Sequence, residues 1–175
     1  MKIYKNFLPK KDFKRIKEHI MGVNMPWYWS NGVLHPFKQE PISNFQFVYV
    51  FILNSKQNCH PDMIYLLNPI ISKLEFKQMR KIKANIVTRT SKIIEHGMHS
   101  DKKVGKTGIF YLNTCNGYTK FEDGTKIMSE ENKYIEFKSK LKHTGSSCTD
   151  ERRRVVINFN YVWIYLIIIG ILNLH

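Results

Sequence analysis

The feature that most constrains the fold is a series of short strand-like runs that fills residues 80–162. Apolar and polar residues alternate within the runs, as in Ile82-Lys83-Ala84-Asn85-Ile86, and a period of two is the pattern of a β-strand. Turn signals such as Asn116-Gly117 and Asp123-Gly124 separate the runs. The predicted strands cover 82–88, 93–99, 107–113, 118–121, 133–137 and 153–162. Short strands with turns between them favour a β-sandwich or a β-barrel.

Two helical patterns and one strand pattern precede this region. Phe13, Ile16 and Ile20 recur at helical spacing, and the following Gly22 suits a helix end. A second helix is predicted from Pro61, whose ring suits a first turn, with a break or kink at Pro69. Alternation over 45–51 predicts a strand that is buried mainly on one face. We therefore expect residues 1–79 to form a layer of helices and a strand that supports the sheet.

The length of 175 residues fits one domain with a sizeable core. We expect a single domain over 1–175, with the support layer at 1–79, the β-rich core at 80–162 and an apolar tail at 163–175. The uninterrupted apolar run of the tail, 161–172, is shorter than the roughly 20 residues that a membrane-spanning helix needs. The tail is interpreted as a strand extension or as a segment covered by a partner chain, with a membrane anchor as the third alternative.

The charge and the cysteine content indicate little about function, but the cysteines favour a reducing, cytoplasmic location. The formal net charge of +14 is compatible with a polyanionic partner such as nucleic acid. The lysines are spread along the chain without a nucleic-acid-binding motif, however, which favours a general lysine bias. Cys59, Cys115 and Cys148 lack the spacing of a disulfide framework or a zinc finger. Because residues 1–11 also lack an apolar stretch of signal-peptide length, we expect a cytoplasmic protein.

A metal site is the strongest chemical hypothesis from the residues themselves. On a strand, His99 and Asp101 point to the same face, so an imidazole and a carboxylate converge there. His143 is the best later candidate for a third ligand, whereas His96, three residues before His99, would face away. Two histidines and one carboxylate form a facial triad that leaves other positions on an iron ion open. Taken singly, His19, His35, His60 and His175 receive no functional role.

The residues around this triad resemble a known enzyme family. The stretch 107–122, Thr-Gly-Ile-Phe-Tyr-Leu-Asn-Thr-Cys-Asn-Gly-Tyr-Thr-Lys-Phe-Glu, is similar to the strand, turn and strand that follow His-x-Asp in 2-oxoglutarate- and Fe(II)-dependent oxygenases. Residues 132–137, His143-Thr144-Gly145 and 154–158 resemble the later strands, with the distal His and the Arg in the family's order. The chain is most similar to short oxygenases of prolyl-hydroxylase type that abound in phage genomes. Asn116 departs from the family pattern, which often has Gly-Gly at this turn.

The resemblance implies a fold and a set of ligands. It implies a mainly β protein with N-terminal helices around a double-stranded β-helix, or jelly-roll, core. Fe(II) would be held by His99, Asp101 and His143, and O2 and 2-oxoglutarate would bind there, with ascorbate as a candidate reductant. The far carboxylate of 2-oxoglutarate would pair with Arg154, with Arg153 as the alternative. Tyr111 and Asn85 would flank the cosubstrate, although core packing for Tyr111 and a surface position for Asn85 are equally compatible with the sequence.

The resemblance also implies a reaction but no single substrate. We expect a hydroxylase that releases succinate and CO2, acting on a peptidyl or free amino-acid side chain. A nucleic-acid base is the alternative substrate, since the net charge is positive. A non-catalytic jelly-roll binding module is the rival interpretation. If the chain is phage-encoded, the expected cytoplasm is that of the host.

Overall fold

The computed structural model describes residues 1–33 and 44–163. Within these ranges two helices and eleven strands follow one another along the chain. The helices are α1 (Lys10–Ile20) and α2 (Pro61–Ile71). The strands are β1 (Lys2–Tyr4), β2 (Tyr28–Ser30), β3 (Gln46–Leu53), β4 (Lys56–Gln57), β5 (Gln78–Thr88), β6 (Lys106–Tyr111), β7 (Tyr118–Phe121), β8 (Lys126–Met128), β9 (Lys133–Lys138), β10 (His143–Gly145) and β11 (Arg153–Val162).

The strands form two antiparallel sheets. The larger sheet has the order β1-β9-β6-β11-β5-β3-β2, with β4 paired to β3, and the smaller has the order β10-β7-β8. Isolated bridges join Glu95 to Ser146 and His99 to His143, so residues 95–99 run alongside β10. From β5 onward the chain passes repeatedly between the two sheets, which is the winding of a double-stranded β-helix. The predicted jelly-roll core is confirmed.

Strand β11 sorts its side chains between two apolar clusters. Alternate residues of this strand point to opposite faces of the sheet. Ile157 and Phe159 are fully buried in the cluster that α1 and α2 cover, whereas Val156 belongs to a smaller cluster with residues of β6, β7, β8 and β9. The helices therefore close one face of the larger sheet, and the smaller sheet closes part of the other.

Most predicted strands are present, and one is not. The strands expected at 118–121 and 153–162 have those bounds, and those expected at 82–88, 107–113 and 133–137 shift by a few residues at their ends. The run at 93–99 forms only the two isolated bridges, because Gly97, at a φ of +94°, interrupts the extended backbone. Helix α2 also continues through Pro69 to Ile71. Residues 164–175, most of the predicted tail, lie outside the described residues, and the single-domain interpretation stays a prediction.

Over residues 1–33 and 44–163, no helix combines the length and the apolar character needed to cross a bilayer. The tail residues 164–175, for which a membrane anchor is one alternative, lie outside the described residues.

The docking of α1 on the larger sheet predicts the effect of a substitution. Ile16 is completely buried in the cluster between this helix and the sheet. We expect Ile16→Ala to lower the free energy of unfolding by about 2–5 kcal/mol, because it removes buried methylene groups and leaves a cavity. Urea unfolding followed by circular dichroism measures this change. The matched control is Ile3→Ala, whose side chain is 47% exposed and whose loss should change the stability by no more than about 0.5 kcal/mol. Equal effects of the two substitutions would contradict the described packing of α1.

Candidate metal centre

His99 and His143 face each other at the edge of the smaller sheet. The two residues exchange backbone hydrogen bonds, with distances of 2.9 Å from His99 N to His143 O and 2.8 Å from His143 N to His99 O. This bridge fixes both backbones, so the centroids of the two imidazole rings lie 4.7 Å apart.

Hydrogen bonds at Nδ1 orient both rings. His99 Nδ1 lies 3.3 Å from the carbonyl oxygen of Gly97, and His143 Nδ1 lies 3.1 Å from that of Leu141. A neutral imidazole that donates from Nδ1 keeps its lone pair on Nε2. The Nε2 atoms of His99 and His143 lie 4.0 Å and 3.9 Å from the carboxylate oxygens of Asp101. These distances are too long for hydrogen bonds, so the three side chains surround a gap.

The protonation state of His99 suits a metal ligand. Burial lowers the pKa of His99, and the neighbouring His143 adds to this effect, against the opposing influence of the Gly97 carbonyl and Asp101. A lowered pKa favours the neutral imidazole at physiological pH. The neutral form is the one that binds a metal ion.

Two donors hold the Asp101 carboxylate in place. Thr107 Oγ1 donates to Asp101 Oδ2 at 2.6 Å, and Asn160 Nδ2 donates to the same oxygen at 2.9 Å. Burial opposes the ionisation of Asp101, but Lys81 and these hydrogen bonds outweigh it, so the pKa of Asp101 lies below its usual value. The carboxylate is therefore ionised at neutral pH, and its orientation is set by residues of β6 and β11.

The donor set fits a divalent metal ion. The ligand atoms of His99, Asp101 and His143 all lie within 4.8 Å of one another. Two neutral imidazoles and one carboxylate are the ligands of a facial triad, which suits Fe(II) and leaves further coordination positions open. The three side chains border a cavity of about 410 Å³. A small ligand in this cavity would reach a metal ion held by the triad.

The floor of the cavity consists of successive cross-strand pairs of β5 and β11. From one end to the other, the pairs are Val87 with Arg154, Asn85 with Val156, Lys83 with Asn158 and Lys81 with Asn160. All of these residues except Asn160 line the cavity. Because Asn160 donates to Asp101, the row runs from Arg154 at one end to the candidate metal ligands at the other.

Among the described residues, the hydrogen-bond partners of the buried Arg154 side chain are hydroxyl groups. Arg154 is 4% exposed, and it donates from Nε to Ser129 Oγ at 2.7 Å and from Nη2 to Thr119 Oγ1 at 3.1 Å. Within residues 1–33 and 44–163, it forms no ion pair with a carboxylate, and the ionisable groups with the largest effect on it are Tyr111 and two cysteines. A buried charge without a counter-ion is costly. The guanidinium is therefore suited to receive an anionic ligand from the cavity.

The residues around Arg154 also favour the binding of an anionic ligand. Tyr111 is fully buried, and its hydroxyl donates to Thr119 Oγ1 at 2.9 Å. Since Thr119 Oγ1 accepts from both Tyr111 and Arg154, its own proton is available to a ligand in the cavity that Thr119 lines. Gly117 leaves space for the arginine, because a Cβ atom there would lie 2.7 Å from Arg154 Cδ.

The other predicted cosubstrate residues differ in position. Asn85 is 5% exposed and lines the cavity, so the alternative of a surface position is wrong. Its Oδ1 atom has no hydrogen-bond partner among the described residues. Tyr111 packs in the core, and it meets the site through its hydroxyl, which bonds Thr119, and through its ring, whose centroid lies 5.6 Å from Arg154 Cζ. Arg153 donates to the Met21 carbonyl on the helix side of the sheet, and Arg152 is exposed.

His96 does not face away from the other histidines. It is 4% exposed and lines the same cavity, with Nδ1 2.6 Å from Asn44 Oδ1. The expectation failed because it assumed a regular strand. The positive φ of Gly97 breaks the alternation between His96 and His99.

The sequence interpretation also missed two lysines of the cavity floor. Lys81 and Lys83 point into the cavity from β5. Burial lowers the pKa of Lys83 to about 8, with a further contribution from Lys81 and an opposing one from Asp101. Lys83 is therefore still mainly protonated at neutral pH. The alternation of residues 81–87 placed these lysines on the face of Asn85, but it did not indicate that this face is internal.

A second group of potential ligands lies in two neighbouring loops. Cys115, Cys148 and Asp150 also have ligand atoms within 4.8 Å of one another. Unlike the first group, none of the three lines the cavity that contains Arg154. Asp150 is engaged instead by the backbone N–H of Asn116, at 3.0 Å from both carboxylate oxygens.

Comparison with solved structures reveals similar proteins. A prolyl hydroxylase from Trichoplax adhaerens, in complex with a hypoxia inducible factor oxygen degradation domain peptide fragment, is 16% identical over 92% of this chain and 82% of that one, with a TM-score of 0.66. A Pseudomonas putida prolyl-4-hydroxylase is 12% identical over 92% and 91% of the two chains, with a TM-score of 0.59. This chain has the prolyl hydroxylase fold.

A third solved structure is similar to this chain at a lower TM-score. An oxidoreductase of the 2OG-Fe(II) oxygenase family from Burkholderia pseudomallei is 12% identical over 67% of this chain and 68% of that one, with a TM-score of 0.52. No family model and no curated protein sequence matches the chain. The similarity found by these comparisons is therefore one of structure, at 12–16% sequence identity.

The geometry of the triad predicts metal binding. We expect the protein to bind one equivalent of Fe(II), or of Mn(II) as a redox-stable substitute, measured by anaerobic calorimetric titration. Loss of a residue that only orients a ligand typically weakens metal binding by about 10- to 100-fold, so His99→Ala should weaken it by at least about 100-fold. His19→Ala removes an exposed histidine of α1 and is the control. Unchanged affinity in His99→Ala would exclude this residue as a ligand.

Proposed function

We propose that the protein is a 2-oxoglutarate- and Fe(II)-dependent oxygenase that hydroxylates a second substrate and releases succinate and CO2. The observation that carries this proposal is the set of side chains that border one cavity. A group of two histidines and a carboxylate lies at one end of its floor, and a buried arginine without a carboxylate partner among the described residues lies at the other. The prolyl hydroxylase fold supports the same conclusion.

In this proposal His99, Asp101 and His143 hold Fe(II). The hydrogen bonds at Nδ1 of both histidines keep the Nε2 lone pairs directed at the ion. Thr107 and Asn160 keep the carboxylate ionised and oriented. When bound, Fe(II) and 2-oxoglutarate supply the oxidising chemistry, in which O2 is consumed and oxidative decarboxylation is coupled to hydroxylation.

Arg154 binds the far carboxylate of 2-oxoglutarate. A guanidinium forms a charge-assisted, two-pronged pair with a carboxylate, and burial strengthens such a pair. The hydroxyl of Thr119 donates to the same carboxylate, and Tyr111 holds Thr119 in position. Asn85 lies one cross-strand pair further toward the metal centre and donates a hydrogen bond from its side-chain Nδ2 to the cosubstrate. Ile109 and Val156 supply apolar wall that excludes water from the chain of the cosubstrate.

The second substrate is an amino-acid side chain, free or in a peptide. This preference comes from the fold, since the Trichoplax adhaerens prolyl hydroxylase was solved with a peptide fragment. A cytoplasmic location, where thiols stay reduced, suits the free Cys59, Cys115 and Cys148.

The proposed function is tested by measuring both a visible absorption spectrum and the release of succinate. Anaerobic addition of Fe(II) and 2-oxoglutarate should produce a weak visible charge-transfer band, and admission of O2 should release succinate. His99→Ala should lose both signals, and His19→Ala should keep both. Absence of the band and of succinate in the wild-type protein would contradict the proposal and would favour a non-catalytic binding module.

The role of Arg154 predicts a change in cosubstrate affinity. We expect Arg154→Met to weaken 2-oxoglutarate binding by about 10- to 100-fold, since a hydrogen-bonded pair with a charged group contributes on the order of 1.5–3 kcal/mol. Titration of the charge-transfer band measures this change. Arg152→Met removes an exposed arginine of the same run and should leave the affinity unchanged. If Arg153→Met weakened the affinity and Arg154→Met did not, the assignment of the arginine would be wrong.

A further inference from the structure

Two lysines stand on the cavity floor beside the candidate metal centre. Lys83 pairs across the strands with Asn158, and Lys81 pairs with Asn160, the residue that donates to Asp101. Both side chains line the cavity, and neither is fully exposed. Lysine side chains normally lie at the protein surface, so two neighbouring lysines that line one cavity need a physical explanation.

Neither ammonium group forms a direct ion pair within residues 1–33 and 44–163, although both interact with the charge of Asp101 at longer range. Among the described residues that line the cavity, the one carboxylate belongs to Asp101, and it accepts hydrogen bonds from Thr107 and Asn160 and forms no ion pair with Lys81 or Lys83. Among the described lysines, arginines and carboxylates of the lining, positive charges therefore exceed negative ones by two, from Lys81, Lys83 and Arg154 against Asp101. A divalent metal ion and a dicarboxylate cosubstrate cancel one another, so this excess persists after both bind.

An unsatisfied acceptor lies next to the lysines. The Oδ1 atom of Asn158 is buried and has no hydrogen-bond partner among the described residues. A buried amide oxygen without a donor is costly, and such groups are normally paired. Because Asn158 lines the same cavity opposite Lys83, a ligand held there would supply the missing donor.

The lysines are separated from Arg154 along the floor. Lys83 lies at the level of Asn158, four residues along β11 from Arg154, which corresponds to roughly 13 Å between the Cα atoms of the strand. Lys81 lies two residues further on, at the end where Asp101 is held. The two cationic positions are therefore suited to two different anionic groups.

We propose that Lys81 and Lys83 form an anion-binding subsite for the second substrate, which is a small molecule with a carboxylate or phosphate group and an adjacent hydrogen-bond donor for Asn158. The inference deepens the proposed function and rests on it, because it concerns the substrate of the same cavity. A volume of about 410 Å³ is in the range of small-molecule pockets. Among the expected substrates, a free acidic compound such as an amino acid fits this subsite, since it carries both an anionic group and a donor.

Binding of simple anions to the metal-free protein tests the subsite independently of catalysis. Inorganic phosphate and acetate are titrated separately by calorimetry into the wild-type protein, Lys83→Met and Lys56→Met. We expect at least one of the two anions to bind the wild-type protein, and the tighter one identifies the phosphate or carboxylate source. Lys83→Met should weaken this binding at least tenfold or remove one site, and Lys56→Met, which alters an exposed lysine of β4, should not. Absence of anion binding, or equal binding to Lys83→Met, overturns the inference.

A second titration separates the substrate from the cosubstrate. The charge-transfer band of the anaerobic Fe(II) protein reports the affinity for 2-oxoglutarate in wild type, Lys83→Met and the double variant Lys81→Met/Lys83→Met. We expect the affinity to change less than threefold, because Arg154 holds the cosubstrate. A loss of tenfold or more would assign the lysines to 2-oxoglutarate and overturn the inference. If the wild-type protein gave no band but still bound the anion through Lys83, the proposed function would fail while the anion subsite stood.

Discussion

The pairing of β11 with β5 on one side and β6 on the other is the constraint on which the rest of the structure depends. The double pairing fixes the twofold alternation of β11, so that Val155, Ile157, Phe159 and Tyr161 face the helices. The intervening residues face the smaller sheet and form the cavity floor together with β5. One strand therefore supplies both the apolar face that stabilises the fold and the polar face that carries Arg154, Asn158 and Asn160. A shift of one residue in this register would exchange the two faces.

The polar face lowers the stability of the fold locally. Together with the facing residues of β5, it contains, among the described residues, a guanidinium without a carboxylate partner, two close lysines, and amide oxygens of Asn85 and Asn158 without donors. Buried charges and unsatisfied acceptors destabilise a fold unless a ligand completes them. The apolar cluster under the helices offsets this cost, which explains how the cavity remains open and polar. The same reasoning connects the site to its ligands, since the unpaired cations require anionic groups and the Asn158 oxygen requires a hydrogen-bond donor.

Much of the fold, and the grouping of His99, Asp101 and His143, was predictable from the sequence, for physical reasons that differ by region. Strands with clear alternation, such as 153–162, were predicted with their bounds, because one side of each is strongly apolar. The run at 93–99 was predicted as a strand and is not one, since the positive φ of Gly97 is not visible in an apolar pattern. The expectation for His96 failed with it. Lys81, Lys83, Thr119 and Asn160 were missed because polar residues on an alternating strand suggest solvent, and only the second sheet turns that face inward.

Anomalous scattering from crystals grown anaerobically with Fe(II) and 2-oxoglutarate tests the central claim most directly. The predicted result is an iron peak about 2.0–2.2 Å from Nε2 of His99, Nε2 of His143 and a carboxylate oxygen of Asp101, as expected for imidazole and carboxylate ligands of a divalent ion. Density for the dicarboxylate should extend from this peak to the guanidinium of Arg154. A peak between Cys115, Cys148 and Asp150 with no metal at the histidines, or a cosubstrate that does not contact Arg154, would contradict the proposed site.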